Sequence, residues 1–286
     1  MTGPRYMMLS ALAFAVMGIL VKTAGGAGIP LLEIILARAV ISVLLSLYAI
    51  ARAGVHPLGN QRWWLLARGV TGFFSLNCVF YAVLHLPFAE ATLLQYLHPI
   101  FTAALAFVLL REVPTTGTLI CVALSVLGLV VMLMPAFLSS VSDRDALAVL
   151  AGLGGAFGSG LAYVIVRKLA STEHPSVIVL YFPMVCVPSA LLLGFDEFVW
   201  PDESMLWVLL GVGCFAQLGQ IALTRAMSLD SASRAASLSY VQIVFAMLLG
   251  LVFFGEWPTV YTLLGAGLII AGAVISTLVK FPERHS

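Results

Sequence analysis

The fold is decided by residues 89–114, AEATLLQYLHPIFTAALAFVLLREVP, because this stretch occurs twice in related form. Shifted by 144 residues, it aligns with SRAASLSYVQIVFAMLLGLVFFGEWP at 233–258, and eight of the 26 positions are identical. The identities include polar and turn-forming residues at matched spacing: Tyr96/Tyr240, Glu112/Glu256 and Pro114/Pro258. An apolar bias alone does not reproduce these spacings. A period of this length indicates two large halves rather than an array of short repeats.

The composition places the chain in a membrane. Only 9% of the 286 residues are charged and 62% are hydrophobic, whereas soluble domains contain roughly 25% charged residues. Ten apolar segments are each long enough to span a bilayer: 6–24, 31–52, 63–86, 88–110, 116–138, 146–170, 176–195, 204–228, 231–254 and 258–279. A net charge of +1 gives no case for nucleic acid as a partner. The four cysteines lack metal-site spacing, so no metal or cofactor is expected.

Five spans in each half give the two halves opposite orientations in the membrane. The sequence therefore predicts an all-α polytopic membrane protein whose ten transmembrane helices form two inverted five-helix repeats, residues 5–138 and 146–280. Lys and Arg are concentrated on one set of loops, with only Lys22 and Arg144 on the other. Because positive residues favour the cytoplasmic side, both termini are predicted to be cytoplasmic.

The repeated segment also carries a family signature. Its apolar helix carries Tyr96 and Pro99 and ends in the motif Phe101-x5-Phe107-x4-Glu112. A Gly-containing apolar helix follows. This pattern resembles the EamA-like carriers of the drug/metabolite transporter superfamily, over about residues 6–279. In one departure from the repeat, Ile243 stands at the position of Pro99. A kink at Pro99 is therefore expected to need no counterpart in the second half.

The resemblance implies a secondary, non-ATP transporter with a cavity lined by its helices. It implies a multi-pass protein of the bacterial inner membrane that exports a small polar metabolite, such as an amino acid or an amino-acid-derived compound, including an amino-acid-derived metallophore. An importer of a nucleoside- or flavin-like metabolite is the alternative. The expected partners are a small-molecule substrate and the lipid bilayer, and both a monomer and a homodimer stay open.

Polar side chains recur within the predicted spans, where each needs a partner or a wet cavity. On five helices they follow one face at three- or four-residue steps. We expect the polar residues to line a central cavity, with these candidates: Arg38, Asn77, Tyr81, Thr92, Gln95, Tyr96, His98, Tyr163, Gln217, Gln220, Ser239, Tyr240 and Gln242. For any single one of them, the alternative is a hydrogen bond between helices.

Three basic residues raise separate hypotheses. Arg38 lies eight residues past Pro30, and is thus about 12 Å into the second span. It either holds a substrate carboxylate or bonds to backbone carbonyls of a neighbouring helix. Arg68 is nearer the cytoplasmic end, so we expect it to snorkel in a structural role. His98 is either a proton-linked group or a hydrogen-bonded wall residue.

The ends and faces of the helices suggest structural or gating roles. Pro99 is expected to kink its helix. Glu112 and Glu256 precede a Pro-started helix, and we expect each to accept from the N–H groups of that next helix, with gating as the alternative. The small-residue pairs Gly154-x3-Gly158 and Gly267-x3-Ala271 predict close helix packing.

Other function classes find little support. The sequence contains no G-x-S-x-G, no H-E-x-x-H and no paired aspartates at depth, so we expect no enzyme, and a membrane-embedded enzyme is the remote alternative. A cavity with amides, hydroxyls, Tyr rings and one Arg suits a small zwitterionic or anionic metabolite. The identity of the substrate, the direction of transport and the coupling ion stay open at this point.

Overall fold

The computed structural model describes residues 2–86, 88–139, 146–194, 198–255 and 257–278. Glu256 and Arg144 lie outside these residues. The described residues form the helices α1 (Gly3–Gly26), α2 (Leu31–Ala53), α3 (Arg62–His85), α4 (Phe88–Gln95), α5 (His98–Leu110), α6 (Thr116–Ser139), α7 (Ala146–Leu169), α8 (Pro175–Gly194), α9 (Glu203–Leu229), α10 (Ala232–Leu238), α11 (Val241–Phe254) and α12 (Val260–Leu278).

The helices confirm a polytopic membrane protein. Within the described residues, nine segments are long and apolar enough to cross a membrane, counting α10 and α11 as one. The tenth crossing consists of α4 and the shorter apolar helix α5. The predicted fold class, an all-helical chain of ten crossings, is therefore confirmed.

The packing of the helices follows the repeat. α1 packs against α9 as α7 packs against α3, and α5 packs against α7 as α11 packs against α1. Two further pairs, α2 with α8 and α6 with α12, each join a helix to its counterpart in the other repeat. All of these contacts join one repeat to the other. The two repeats therefore share one core, and the boundaries 5–138 and 146–280 stay a prediction.

The fourth and ninth crossings are each interrupted near their middle. At the first interruption the Leu97 N–H donates to the Leu94 carbonyl (3.1 Å). At the second, the Ser239 N–H donates to the Ala236 carbonyl (3.1 Å). Both bonds join residues three apart, so each helix tightens locally into a 3₁₀-like turn before it continues. Each of these crossings therefore consists of two successive helices, and the first break lies directly before His98 and Pro99.

The second interruption shows that a break of this kind does not require proline. The sequence left a partner to the kink at Pro99 optional, and Ile243 follows an equivalent break. There the Ser239 hydroxyl donates to the Ala236 carbonyl (2.7 Å), and such a local bond competes with the regular helix pattern. The two breaks contact each other, because the Tyr240 hydroxyl donates to the Tyr96 carbonyl (2.8 Å).

Glutamates near helix ends bond across the boundary between the repeats. In each case a carboxylate of one repeat accepts from backbone N–H groups that precede or begin a helix of the other, where the helix dipole favours negative charge. The bonds are Glu173 Oε1 with Asn60 N (2.7 Å) and Gln61 N (2.6 Å), Glu33 Oε2 with Val199 N (2.9 Å), and Glu112 Oε2 with Ala232 N (2.8 Å).

The expectation that Glu112 binds the next helix is therefore wrong. The N-terminus of α6 is capped by Thr115, whose hydroxyl accepts from the Thr118 N–H (3.2 Å). Glu112 is thus free to bind α10 and, through Oε1, the Arg167 Nε (2.7 Å). Arg167 Nη1 also donates to the Met227 carbonyl (2.7 Å). We call this set, Glu112, Arg167, Met227 and Ala232, the Glu112 bridge; it ties α5, α7, α9 and α10 at one end of the bundle.

The close-packed glycines differ in part from those predicted. Nothing lies within 4 Å of the position of a Cβ on Gly267. On the same helix, a Cβ on Gly265 would collide with the Gly128 carbonyl of α6. On α7, a Cβ on Gly155 would lie 2.7 Å from Val79 of α3, whereas Gly154 faces only Cys78 Sγ at 3.9 Å. Of the predicted residues, Gly158 does lie against α3, since a Cβ on it would lie 3.0 Å from Ser75 Cβ, whereas on α12 the contact is made by Gly265 instead of Gly267.

Candidate functional site

A pocket lies between the two repeats, among α2, α3, α8 and α9. The space not filled by atoms between its lining side chains, including the part open to the outside, is about 310 Å³, and the enclosed part has room for about one water molecule. The lining is apolar with a few polar groups: Ile35, Arg38, Ala39, Ser42, Leu76, Val179, Phe182, Pro183, Cys186 and Gln220. The lining residues of α2 lie in the first half of that helix, and Leu76 lies in the second half of α3. The pocket is therefore nearer the end of the bundle opposite to the Glu112 bridge.

Arg38 is the charged residue of the pocket lining. Its guanidinium carbon lies 5.6 Å from the centre of the Phe182 ring. Glu33, the nearest carboxylate along α2, is bound to the Val199 N–H. Among the described residues, no carboxylate forms an ion pair with Arg38. Within the part of the chain that the structure describes, the pocket therefore presents a positive charge that no acidic side chain neutralises.

Arg68 lies behind this pocket, and the expectation that it snorkels to the membrane surface is wrong. Its side chain is buried, with 5% exposure. The guanidinium carbon lies 5.3 Å from the centre of the same Phe182 ring, and Nη2 donates weakly to Gln220 Oε1 (3.4 Å). Its Nε and Nη1 are buried with no hydrogen-bond partner among the described residues. Helix α8, which carries Phe182, encloses Arg68 before it can reach an interface.

Proline within α8 adds an acceptor to the pocket. Pro183 lies inside the helix and has no N–H, so the carbonyl four residues earlier, that of Val179, loses its usual donor. Val179 and Pro183 both line the pocket. The pocket therefore combines a guanidinium, an amide and a backbone acceptor within an apolar wall.

A second polar group surrounds the interrupted helices. His98 begins α5 and is buried, and its ring centre lies 5.0 Å from that of Tyr163 and 6.3 Å from that of Tyr96. The Tyr96 ring stacks on Tyr240 at 6.1 Å. His98 Nδ1 is buried without a hydrogen-bond partner in the described part of the chain. Pro99 is buried in the first turn of α5.

The remaining predicted residues lie at other places. Gln217 is buried and donates to Ser46 Oγ (2.7 Å), which joins α9 to α2. Asn77 is exposed, bonds to its own helix at the Phe73 carbonyl (2.8 Å), and lines a neighbouring cleft. Tyr81 stacks on His85 at 4.1 Å. The others take these positions: Ser239 in the α10–α11 turn, Thr92 half-buried on α4, Gln95 exposed at its end, and Gln242 half-buried on α11.

The structure thus brings part of the predicted set together at two places and leaves the other residues apart from both. Arg38 and Gln220 meet at the pocket, while His98, Tyr163, Tyr96 and Tyr240 meet at the helix breaks. Sequence reasoning missed Phe182 and assigned Arg68 elsewhere. The signal that could have found the pocket is Phe182-Pro183, an aromatic residue beside a proline in the middle of an apolar span.

Comparison with known proteins assigns the family. The model of the EamA-like transporter family matches residues 1–134 and again residues 146–278. The Pseudopaline exporter CntI of Pseudomonas aeruginosa is 34% identical over 274 residues, which cover 96% of this chain and 95% of that protein. The Riboflavin transporter of Vibrio cholerae is 25% identical over 280 residues, covering 96% of this chain and 92% of the relative.

The fold has a counterpart among solved structures. One crystal structure shares 21% sequence identity with a TM-score of 0.85, and the match covers 96% of each chain. At this identity the likeness shows the fold alone. The family model and the 34% identical relative show more: this chain is a member of the EamA-like transporter family.

Proposed function

We propose that this protein is a secondary transporter that exports a small amino-acid-derived compound, such as a metallophore, across the bacterial inner membrane. The observation that carries the proposal is the pocket between the repeats, whose lining includes Gln220 and the cation Arg38, with no ion-pair partner for Arg38 among the described residues. Sites between repeats are where such carriers bind their substrates. The similarity to an exporter along almost the whole chain supports the outward direction.

A second candidate is import of a flavin-like compound. Its support is the similarity to the Vibrio cholerae Riboflavin transporter, at lower identity. An aromatic cluster of Tyr96, Tyr163 and Tyr240 near the helix breaks offers stacking surfaces for a flat ring. The guanidinium of Arg38 in the pocket would have no anionic group to bind on a neutral ring system, so we place this function second.

The direct test is transport by the purified protein in proteoliposomes. Vesicles loaded with pseudopaline are expected to release it several-fold faster than protein-free vesicles, without ATP, and an imposed pH gradient tests for proton coupling. Amino acids and riboflavin complete the panel. Movement of riboflavin alone would favour the second candidate. If no compound of the panel moves faster than in protein-free vesicles, the exporter proposal fails.

The orientation of the chain is a further part of the proposal. Both termini are expected in the cytoplasm because Lys and Arg are concentrated on that side. Reporter fusions after Gly59, Pro114 and Ser286 should all report the cytoplasm, and a fusion after Asp143 should report the opposite side. An external signal from the Ser286 fusion would contradict the proposed orientation.

A further inference from the structure

We infer that Arg38 and Arg68 together form a two-cation site for an amino-acid-derived substrate that carries two carboxylates. The inference rests on the proposed function, since it specifies the class of substrate that the pocket binds. It adds Arg68 to the site, although Arg68 is absent from the pocket lining. It also predicts a net negative substrate rather than a neutral one.

The first step is the geometry around Phe182. The guanidinium carbons of Arg38 and Arg68 lie 5.6 and 5.3 Å from the centre of this one ring. An aromatic face attracts each cation only modestly, by about 0.5–2 kcal/mol. It does not offset the repulsion of two like charges in a low-dielectric interior. Two guanidiniums that flank one ring inside a membrane bundle offer two positive charges that a single anion with two carboxylates can bridge.

The second step is the state of Arg68. Two of its three nitrogens are buried with no partner among the described residues, and the third makes a bond of 3.4 Å. A buried donor without a partner costs about 1–3 kcal/mol, and more when it is charged. A carboxylate matches the planar fork of a guanidinium with two parallel hydrogen bonds. A substrate carboxylate thus supplies the partner that these nitrogens lack among the described residues.

The third step is the path from the pocket to Arg68. Gln220 and Phe182 line the pocket and both contact Arg68. A bond at 3.4 Å is long and weak, so a carboxylate can displace the Gln220 oxygen from Arg68 while a second carboxylate binds Arg38. The substrate amine then has the free Val179 carbonyl as its acceptor. The described residues that line the pocket include no acidic one, so the carboxylates meet no repulsion from them.

The test is binding to the purified full-length protein, measured as a shift of its thermal unfolding midpoint. The probes are two pairs that differ in one carboxylate: L-glutamate with L-glutamine, and iminodiacetate with sarcosine. We expect the dicarboxylate of each pair to raise the midpoint at concentrations where its partner does not. Arg38→Gln and Arg68→Gln should each weaken dicarboxylate binding about tenfold or more, as expected for the loss of a charge-assisted pair.

Two further variants make the result specific. Arg68→Lys should retain part of the binding, because an ammonium keeps the charge but not the fork; it also serves if Arg68→Gln does not accumulate. Arg52→Gln removes an exposed arginine from the same helix as Arg38 and should bind as the wild type does. Equal shifts by glutamate and glutamine, undiminished binding by Arg68→Gln, or no shift with either dicarboxylate would overturn the two-cation site.

The binding test and the transport test distinguish failure of the two-cation site from failure of the exporter proposal. Dicarboxylate binding that depends on both arginines, without any efflux from vesicles, would overturn the exporter proposal and leave the site intact. Efflux that is unaffected by Arg68→Gln would overturn the site and leave the exporter proposal intact.

Discussion

Replacing Gly265 with valine is expected to destabilise the folded protein strongly and to lower its yield. Gly265 of α12 faces Gly128 of α6, and a Cβ on Gly265 would collide with the Gly128 carbonyl and with Met132 Cγ. A Cβ on Gly128 would in turn lie 2.6 Å from the Gly265 carbonyl. The obstacle is backbone, which cannot rotate away as a side chain can. We expect a destabilisation of about 3 kcal/mol, the upper end of typical overpacking costs.

The matched control is Gly267→Val, two residues further along the same helix. Nothing lies within 4 Å of a Cβ at Gly267, so this variant should accumulate and unfold as the wild type does. The measurement is fluorescence-detected size-exclusion chromatography of fusion proteins, followed by thermal unfolding of the monodisperse peak. Equal yields and midpoints for the two variants would show that α6 and α12 are not in the close contact described.

Replacing Glu112 with glutamine should loosen the end of the bundle that holds the Glu112 bridge. The carboxylate accepts from Arg167 Nε (2.7 Å) and from the Ala232 N–H (2.8 Å). Glutamine offers one acceptor and no charge, so one bond is lost and the other weakens. Charge-assisted hydrogen bonds contribute about 1.5–3 kcal/mol each, and we expect a loss of about 2 kcal/mol for a pair that is only partly buried.

Thermal unfolding in detergent provides the measurement, with Glu203→Gln as the control. Glu203 is an exposed carboxylate at the start of α9, and its replacement should leave the midpoint within the error of the wild type. The double variant of Glu112→Gln with Arg167→Gln should lose less than the sum of the two single variants, because the bridge is already broken. Additive losses would show that Glu112 and Arg167 do not stabilise each other.

Part of this architecture followed from local features of the sequence. The ten crossings could be predicted because a backbone in lipid must satisfy its own hydrogen bonds, so each long apolar run becomes a helix. The repeat was visible because matched residues, such as Tyr96 and Tyr240, keep their spacing. These two residues then meet at the helix breaks, although the sequence did not show that Ser239 could interrupt a helix without proline.

Other features depended on which helices become neighbours, and only the tertiary structure decided them. Hydropathy identified the apolar face of α12 but not that Gly265, rather than Gly267, meets α6. Glu112 bonds to Ala232, 120 residues away in the other repeat, and Arg68 contacts Gln220 at a separation of 152 residues. Pairings at such distances leave no local pattern, because they arise from packing one repeat against the other. The sequence alone thus determined the crossings and the duplication, whereas inter-repeat packing placed Arg38 and Arg68 at the same Phe182 ring.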